Sequence, residues 1–435
     1  MGVGYFQLSN RTPQDLYLVG NPQYTHFKTV FKRYTNFAIE PLLTPFNGDT
    51  AETWGRRLYS NIARNGDLLY RCYLVFRINV RDTATQEPFN IATLGTSLIE
   101  WVQISLGDQI IDKQYGEWLY IDGALNETFD KSSLLYEMEK INPLTTDEQH
   151  IFIPLRFWFN KNPGLSVPLI ALQNSPLKLD LQVNTKEQVF NQSNVNINVK
   201  INSIQLLCEY VHLDAEEKRL FASNKHDYLI EQVQSTVNNP VPLNLTNPRM
   251  TDEEYERTNF TYDLNFNHPV KEIFWVVQDS NSSSLNSQSK NYNLYNFWRN
   301  FVYEREQIKE GTLVLNNKEV FDYKPNKFFR LVQNWEYHNS DRYYDLSFPS
   351  VNRENLVPCV YKYSFSLNPT DLQPSGTLNF SALDRAQLRL KFLRDMENFT
   401  LTGPNNVQSK VIRFYAVNYN MLRVQSGQGA LAYIN

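Results

Sequence analysis

The stretch Leu213–Gln234, LDAEEKRLFASNKHDYLIEQVQ, stands apart from nearly everything around it. Asp214 opens a charged, helix-compatible run, and Glu217 follows three places later. That is capping-box spacing: the Asp side chain can accept from orphan backbone donors while the Glu reaches back. On either side the chain alternates apolar and polar residues in the period of half-buried strands. Strand patterns that precede the stretch recur in the same order after it. The reading is therefore a short connecting helix between two copies of one β-rich unit.

Three matches carry the duplication. Thr312–Leu315, turning at Asn316-Asn317 into Lys318–Phe321, answers the hairpin Val102–Ile111, which turns at Gly107-Asp108. Gln387–Phe392 answers Leu177–Val183, and Val411–Leu422 answers Ile197–Val211. A shared order at similar separations is the mark of an internal repeat. The resulting organisation is an N-terminal arm over 1–26, a first unit over 27–212, a connecting helix over 213–225 and a second unit over 226–435.

Length and composition fit this division. A chain of 435 residues suits two domains of the size a β-sandwich reaches. With 26 Tyr and 27 Phe against 16 Gly, the composition favours pleated strands over helices. About eight strands per unit with long excursions between some of them indicates an all-β fold, two tandem eight-stranded antiparallel jelly-roll sandwiches.

Within the first unit, Leu69–Val80 alternates cleanly: Cys72, Leu74, Phe76 and Ile78 point one way and Arg71, Tyr73, Arg77 and Asn79 the other. Asn47-Gly48 and Asn65-Gly66 read as tight hairpin turns. In Ile197–Val211 the apolar parity switches from odd to even, which predicts a bulge near Asn202-Ser203. Residues 122–149 read as an excursion with a short helix near Ser132–Lys140. Residues 279–300 and 335–355 read as extended loops.

The chemistry is marked by absences. No phosphate-cradling Gly loop, G-x-S-x-G, H-E-x-x-H or C-x-x-C occurs. Cys72, Cys208 and Cys359 are too far apart in sequence to suggest a disulfide framework or a zinc site, and a reducing compartment follows. His212 and His226 flank the connecting helix and read as structural. The chain is expected to be no enzyme and to need no metal or cofactor. Its opening lacks a cationic, then apolar, leader, and no run approaches the ~20 apolar residues of a membrane helix.

A formal charge of -4 argues against a general nucleic-acid glove. Residues 26–81 are nonetheless locally basic, with Arg56, Arg57 and Arg64 among nine cations against four acids. That stretch reads either as a solvated face or as a surface for lipid headgroups or an acidic partner. The candidate interface residues are Arg56 and Arg57; the turn Arg64, Asn65, Gly66 and Asp67; the aromatic and proline-bearing run with Phe157, Trp158, Pro163 and Pro168; and the helix start Asp214 and Glu217.

Particular words in the chain then resemble a known family. LVGNPQYTHFKTVFKRYTNFAIE (18–40), IARNGDLLYR (62–71), LGDQIIDKQYGEW (106–118), IPLRFWFNKNPGLSVPLIALQ (153–173), the connecting stretch, FNHPVKEIFWVVQ (266–278), PSGTLNFSALD (374–384) and YAVNYNMLRVQSGQGALAYIN (415–435) resemble the major capsid protein of nucleocytoplasmic large DNA viruses. The opening GVGYFQLSNRTPQ departs from the Gly- and Leu-rich start of many members.

The resemblance implies a double jelly roll that forms a homotrimer with a pseudo-hexagonal outline, tiling an icosahedral shell around an inner membrane and double-stranded DNA. Implied partners are neighbouring capsomers, penton and minor capsid proteins, and the inner viral membrane, with no sequence-specific nucleic-acid contact. Location in the virion after cytoplasmic assembly is likewise implied. Two alternatives are a carbohydrate-binding or carbohydrate-active β-sandwich with a paired-acid cleft, and a minor capsid or spike subunit of the same fold.

Overall fold

The computed structural model describes all residues except 1–2, 11, 49–52, 83–93, 142–146, 191–196, 237–238, 241–258, 280–294, 296–305, 339–358, 394–409 and 435. The chain divides into two compact units, Met1–Phe37 and Ala38–Asn435. The first carries a helix over Val3–Ser9 and a short turn over Pro13–Asp15, where Asp15 reaches back to the Thr12 amide at 2.7 Å. A single helical turn, Leu16–Val19, ends at Gly20. Apolar side chains such as Phe6, Tyr17 and Phe27 are exposed.

In the second unit the first eight main strands are β1 (Phe37–Pro45), β2 (Arg57–Ile62), β3 (Leu68–Asp82), β4 (Ile99–Leu106), β5 (Gln109–Tyr115), β6 (Gln149–Pro154), β7 (Leu177–Val183) and β8 (Ile197–Leu213). They form two four-stranded sheets, β1-β8-β3-β6 and β2-β7-β4-β5. The next eight are β9 (His226–Ser235), β10 (Phe260–Asp263), β11 (Pro269–Asp279), β12 (Ile308–Leu315), β13 (Lys318–Glu319), β14 (Tyr361–Ser364), β15 (Ala386–Phe392) and β16 (Lys410–Gln425). Their sheets run β9-β16-β11-β14 and β10-β15-β12-β13, with short strands added at Asn239–Pro240, Lys324–Pro325, Leu378–Asn379 and Gln428–Leu431. Each strand n of the first roll thus has strand n+8 of the second in the same sheet position. This agreement extends the three sequence matches to all eight, in the two-sheet pattern of a jelly roll.

Alternation explains which face each strand buries. Cys72, Leu74, Phe76 and Ile78 of β3 are essentially inaccessible and face β8 residues Ile201, Ile204, Leu206 and Cys208. The register of β3 on β8 slips between Arg77 and Ile78, which pair with Ser203 and Ile201. Asn202 is the extra residue, where the parity switch places the bulge. The hairpin β4–β5 turns at Gly107 with φ +57, and β12–β13 turns at Asn316 and Asn317 with φ 47 and 65. Glycine and asparagine tolerate that left-handed backbone.

Two sequence expectations change. The turns at Asn47-Gly48 and Asn65-Gly66 are not hairpins between paired strands, because β2 lies in one sheet while β1 and β3 lie in the other. They carry the chain across the sandwich. The excursion after β5 holds two helices, α1 (Gly116–Asn126) and α2 (Phe129–Glu139). Pattern reading finds only the second, since α1 is buried nearly all round and has no polar face to mark it.

The connecting stretch forms α3 (Ala215–Ser223) between β8 and β9. After β13 the second roll has a π-helical turn, Phe328–Val332, running into α4 (Gln333–Tyr337). Trp335 therefore belongs to a helix and not to a loop, while the rest of the expected loops at 279–300 and 335–355 falls mostly outside the described residues.

Candidate assembly surfaces

Strand period and register place Phe274, Val276 and Gln278 of β11 on one face with Arg413, Tyr415 and Val417 of β16. This face points away from the second roll's own core, where Trp275 packs on Phe329 and Tyr361. Yet Phe274, Val276, Tyr415 and Val417 are all buried. The cover comes from the first roll. Trp118 of α1 meets Phe274 edge-on with ring centroids 5.2 Å apart, and Tyr415 at 5.5 Å. Beside it, Arg413 Nη1 donates to Glu117 Oε2 and to Gln278 Oε1, both at 2.7 Å. Burial pushes the Glu117 carboxyl up, and the guanidinium opposes that rise.

At the other end of α1, His338 lies with Nδ1 2.5 Å from Asn126 Oδ1 and Nε2 2.9 Å from Glu272 Oε2. Further along, Lys161 of the first roll donates to Glu231 of β9 at 2.9 Å, and Lys271 of β11 donates to the other oxygen at 2.5 Å. Burial works against the Glu231 charge, but the two ammonium groups overcome it and hold the carboxyl at about 2. Asp112 of β5 accepts from the Val233 amide and from Gln114, and burial still pushes it up to about 6. These paired charges favour one docking geometry over others; their net contribution to stability is smaller than their number suggests.

The residues singled out from sequence are scattered about this junction. Asp67 is buried and faces inward: it accepts from the Leu213 amide at 3.0 Å and pairs with Lys218 of α3 at 2.8 Å. Burial would raise its carboxyl, but these partners bring it below the usual range. Gly66 passes so close to β8 that a Cβ would lie 2.7 Å from that of Tyr210. Arg64 donates to the Gln173 carbonyl at 3.1 Å. With Gly66, Asp67 and Lys218 it lines a shallow cavity of about 330 Å³, and Asn65 is exposed at the turn. The turn thus anchors the connecting helix.

Asp214 caps α3 as expected in position, accepting from the Ala215 amide at 2.8 Å. Glu217 makes no reciprocal capping bond; one of its oxygens is buried without a hydrogen-bond partner among the described residues. His212 and His226 do not meet: one faces Glu40, the other the Phe221 carbonyl.

Phe157 and Trp158, expected at contacts between domains or subunits, are fully buried within this chain, so their rings have no exposed surface to offer a neighbouring copy. Pro163, at the head of a 3-10 turn, is exposed, while Pro168 is buried. Neither the sequence nor its aromatic content singled out Lys161, the member of this region that reaches the second roll. In the basic stretch, Arg57 pairs with Asp180 at 3.5 Å and lies over the Trp101 ring, and the Arg56 carbonyl accepts from Val183.

Among the described residues no group of three or more His, Cys, Asp or Glu side chains is placed to hold a metal ion. None of the described helices is long and apolar enough to cross a membrane.

Two stacked jelly rolls joined by a short helix, with one roll's helix covering the other's outer sheet, define a double jelly-roll protein of the kind that builds viral shells. The chain superposes on the capsid chain of a quasi-atomic model of PBCV-1 with a TM-score of 0.74 and 27% identity, covering 94% of this chain and 100% of that one. The fold extends to the Faustovirus major capsid protein, with a TM-score of 0.67 at 9% identity over 95% and 94% of the two chains.

Residues 25–214 match the model described as "Major capsid protein N-terminus", and 217–430 match "Large eukaryotic DNA virus major capsid protein". The chain is 34% identical to the major capsid protein of Pyramimonas orientalis virus and 30% identical to that of Paramecium bursaria Chlorella virus 1, over the full length of each chain. It belongs to the family of major capsid proteins of large eukaryotic DNA viruses, and is a structural protein of the virion shell.

Proposed function

We propose that three copies of this chain assemble into a capsomer of six like rolls, and that capsomers tile an icosahedral shell. The observation that carries this reading is the head-to-tail docking of two equivalent rolls inside one chain. The contact is heterologous: a helix of one roll meets the sheet of the other. Heterologous contacts repeated across copies build rings. Neighbouring capsomers, penton and minor capsid proteins are the further partners, and the role is structural without catalysis.

A contact between the basic stretch 26–81 and an inner membrane belongs to the same reading. Charge reversal at Arg56 and Arg57 that leaves particle assembly and membrane apposition intact would remove it. For the capsomer itself, light scattering on the purified chain should give a mass of three chains of 51.0 kDa each. Copy number in purified particles separates a major from a minor shell component. A monomer with measurable affinity for oligosaccharides would favour the carbohydrate-binding alternative.

A further inference from the structure

Cys72 and Cys208 are 136 positions apart in the chain, yet they stand directly opposite each other on β3 and β8, with Sγ atoms 3.8 Å apart in the core of the first roll. Backbone hydrogen bonding fixes what kind of pair this is. The Cys72 carbonyl accepts from the Leu155 amide, on the β6 side of β3, at 3.0 Å. In an antiparallel strand the N–H and C=O of one residue point to the same side, so neither backbone group of Cys72 turns toward β8. Cys72↔Cys208 is therefore a non-hydrogen-bonded pair, in which Cα atoms approach to about 4.5 Å and side chains lie closest. That separation is one a disulfide spans, and closing the bond asks the sulfurs to approach by ~1.8 Å.

The second roll has no such pair. On the equivalent strands β11 and β16 the core-facing pairs are Ile273↔Ala416, Trp275↔Phe414 and Val277↔Ile412, all apolar and buried. Cys359 lies instead against the Tyr361 hydroxyl, at 3.3 Å. Packing asks only for a small apolar residue at positions 72 and 208. Two thiols in register add the capacity for a covalent bond.

We propose that Cys72 and Cys208 are a site of covalent modification, where a disulfide staples β3 to β8, the two central strands of the sheet β1-β8-β3-β6. Disulfides persist outside the cell, where a virion shell has to last. The step is thiol–disulfide exchange with a low-molecular-weight or protein disulfide. One cysteine thiolate attacks the oxidant and releases one thiol; the second cysteine then displaces the other. Two protons and two electrons leave the pair, and the oxidant's S–S bond becomes two thiols. Because both sulfurs are buried, exchange takes place while the first roll is folding or opening, and the finished bond is shielded from reductants. The ring it closes spans most of the first roll, which restricts the unfolded chain strongly.

The test counts thiols in two preparations of the full chain. Purified with reductant, the chain keeps all three. Taken from particles and unfolded in guanidinium with iodoacetamide, it should be alkylated at Cys359 alone, with a Cys72–Cys208 peptide lighter by two hydrogens than the reduced pair. Refolding the reduced chain in a glutathione buffer containing the disulfide form should give the same peptide and a higher urea midpoint. Cys208→Ala should lose both effects and Cys359→Ala neither. Dithiothreitol should open the bond in guanidinium but not in native buffer. Alkylation of all three cysteines in particle-derived chain would overturn the proposal, as would an oxidised chain whose midpoint does not exceed the reduced one.

Discussion

Trp118, from the first roll, meets Phe274 of the second at an interplanar angle of 70°. The edge-to-face geometry matches the quadrupoles of the two rings, and both side chains are buried almost completely. This contact, made from α1 to β11, is the apolar centre of the junction between the rolls.

Truncation at that centre should be costly. Trp118→Ala is expected to destabilise the chain by about 3–5 kcal/mol, the usual cost of emptying a buried Trp site. Urea unfolding should show the lower midpoint. A midpoint unchanged within error would mean that the rolls are held together elsewhere.

The Glu231 cluster sets an acid limit. Its carboxyl titrates at about 2 when folded against an ordinary 4.5, so its contribution is fully present above 4.5 and is lost as pH falls from there toward 2. Lys161 keeps 38% of its side chain exposed, so solvent screening reduces the effect to about 2 kcal/mol. Asp112, at about 6, acts in the opposite sense: the folded state gains relative stability as pH falls through 6 toward 3.8. Thermal unfolding between pH 7 and 3 should show a shallower acid-side decline in Glu231→Gln, at a lower overall Tm, because Asp67 keeps its own share of the decline.

Lys362 of β14 is completely buried, and its Nζ has no hydrogen-bond partner among the described residues. Burial pulls the amine down to about 7, with Glu272 opposing. Burying the amine is costly even with Glu272 near and the Tyr337 ring centroid 5.7 Å away, so Lys362→Met, similar in length and without the charge, should stabilise by about 1–3 kcal/mol at pH 6. Chemical denaturation compares the two; a lower stability for the Met variant would show that the amine has a role in the fold.

Cys72 and Cys208 face each other across β3 and β8 with Sγ atoms 3.8 Å apart, and Cys359 is buried in the second roll. Burial pushes the Cys72 thiol well up and the Cys359 thiol to about 12. Thiolate is the reactive form. A colorimetric thiol reagent should therefore find close to none of the three in the native protein and all three in guanidinium; rapid native labelling would contradict this.

Asp67 ties the turn between β2 and β3 to the connecting helix through Leu213 and Lys218. Asp67→Ala leaves a half-buried backbone donor without its acceptor and removes the partner of Lys218, and should cost about 1–3 kcal/mol. Hydrogen exchange should report faster opening at Leu213 and in α3, and unchanged protection there would place the anchor elsewhere.

Much of the fold is legible in local pattern. Period-two alternation marks β3, β7 and the equivalent strands β8 and β16, and the parity switch marks the extra residue at Asn202, because a strand must turn one face to the core. Asp214 announces α3 through side-chain chemistry that a helix start needs. The helix α1 escapes the same reading because it is enclosed by both rolls and shows no polar stripe.

By itself the sequence determined that the chain is a tandem of strand-rich units, where the hairpins at Gly107 and at Asn316-Asn317 and the connecting helix lie, and which family words they carry; these follow from residue spacing and turn chemistry along the chain. Tertiary structure alone decided what covers each face. Phe157 and Trp158 look like contact residues and are core. Asn65-Gly66 looks like a hairpin and crosses between sheets, and Lys161 looks unremarkable and binds Glu231 of the other roll. The physical reason is that apolar periodicity states that a face will be buried, whereas the group that buries it comes from residues distant in sequence, and its identity is settled only when packed shapes and paired charges meet.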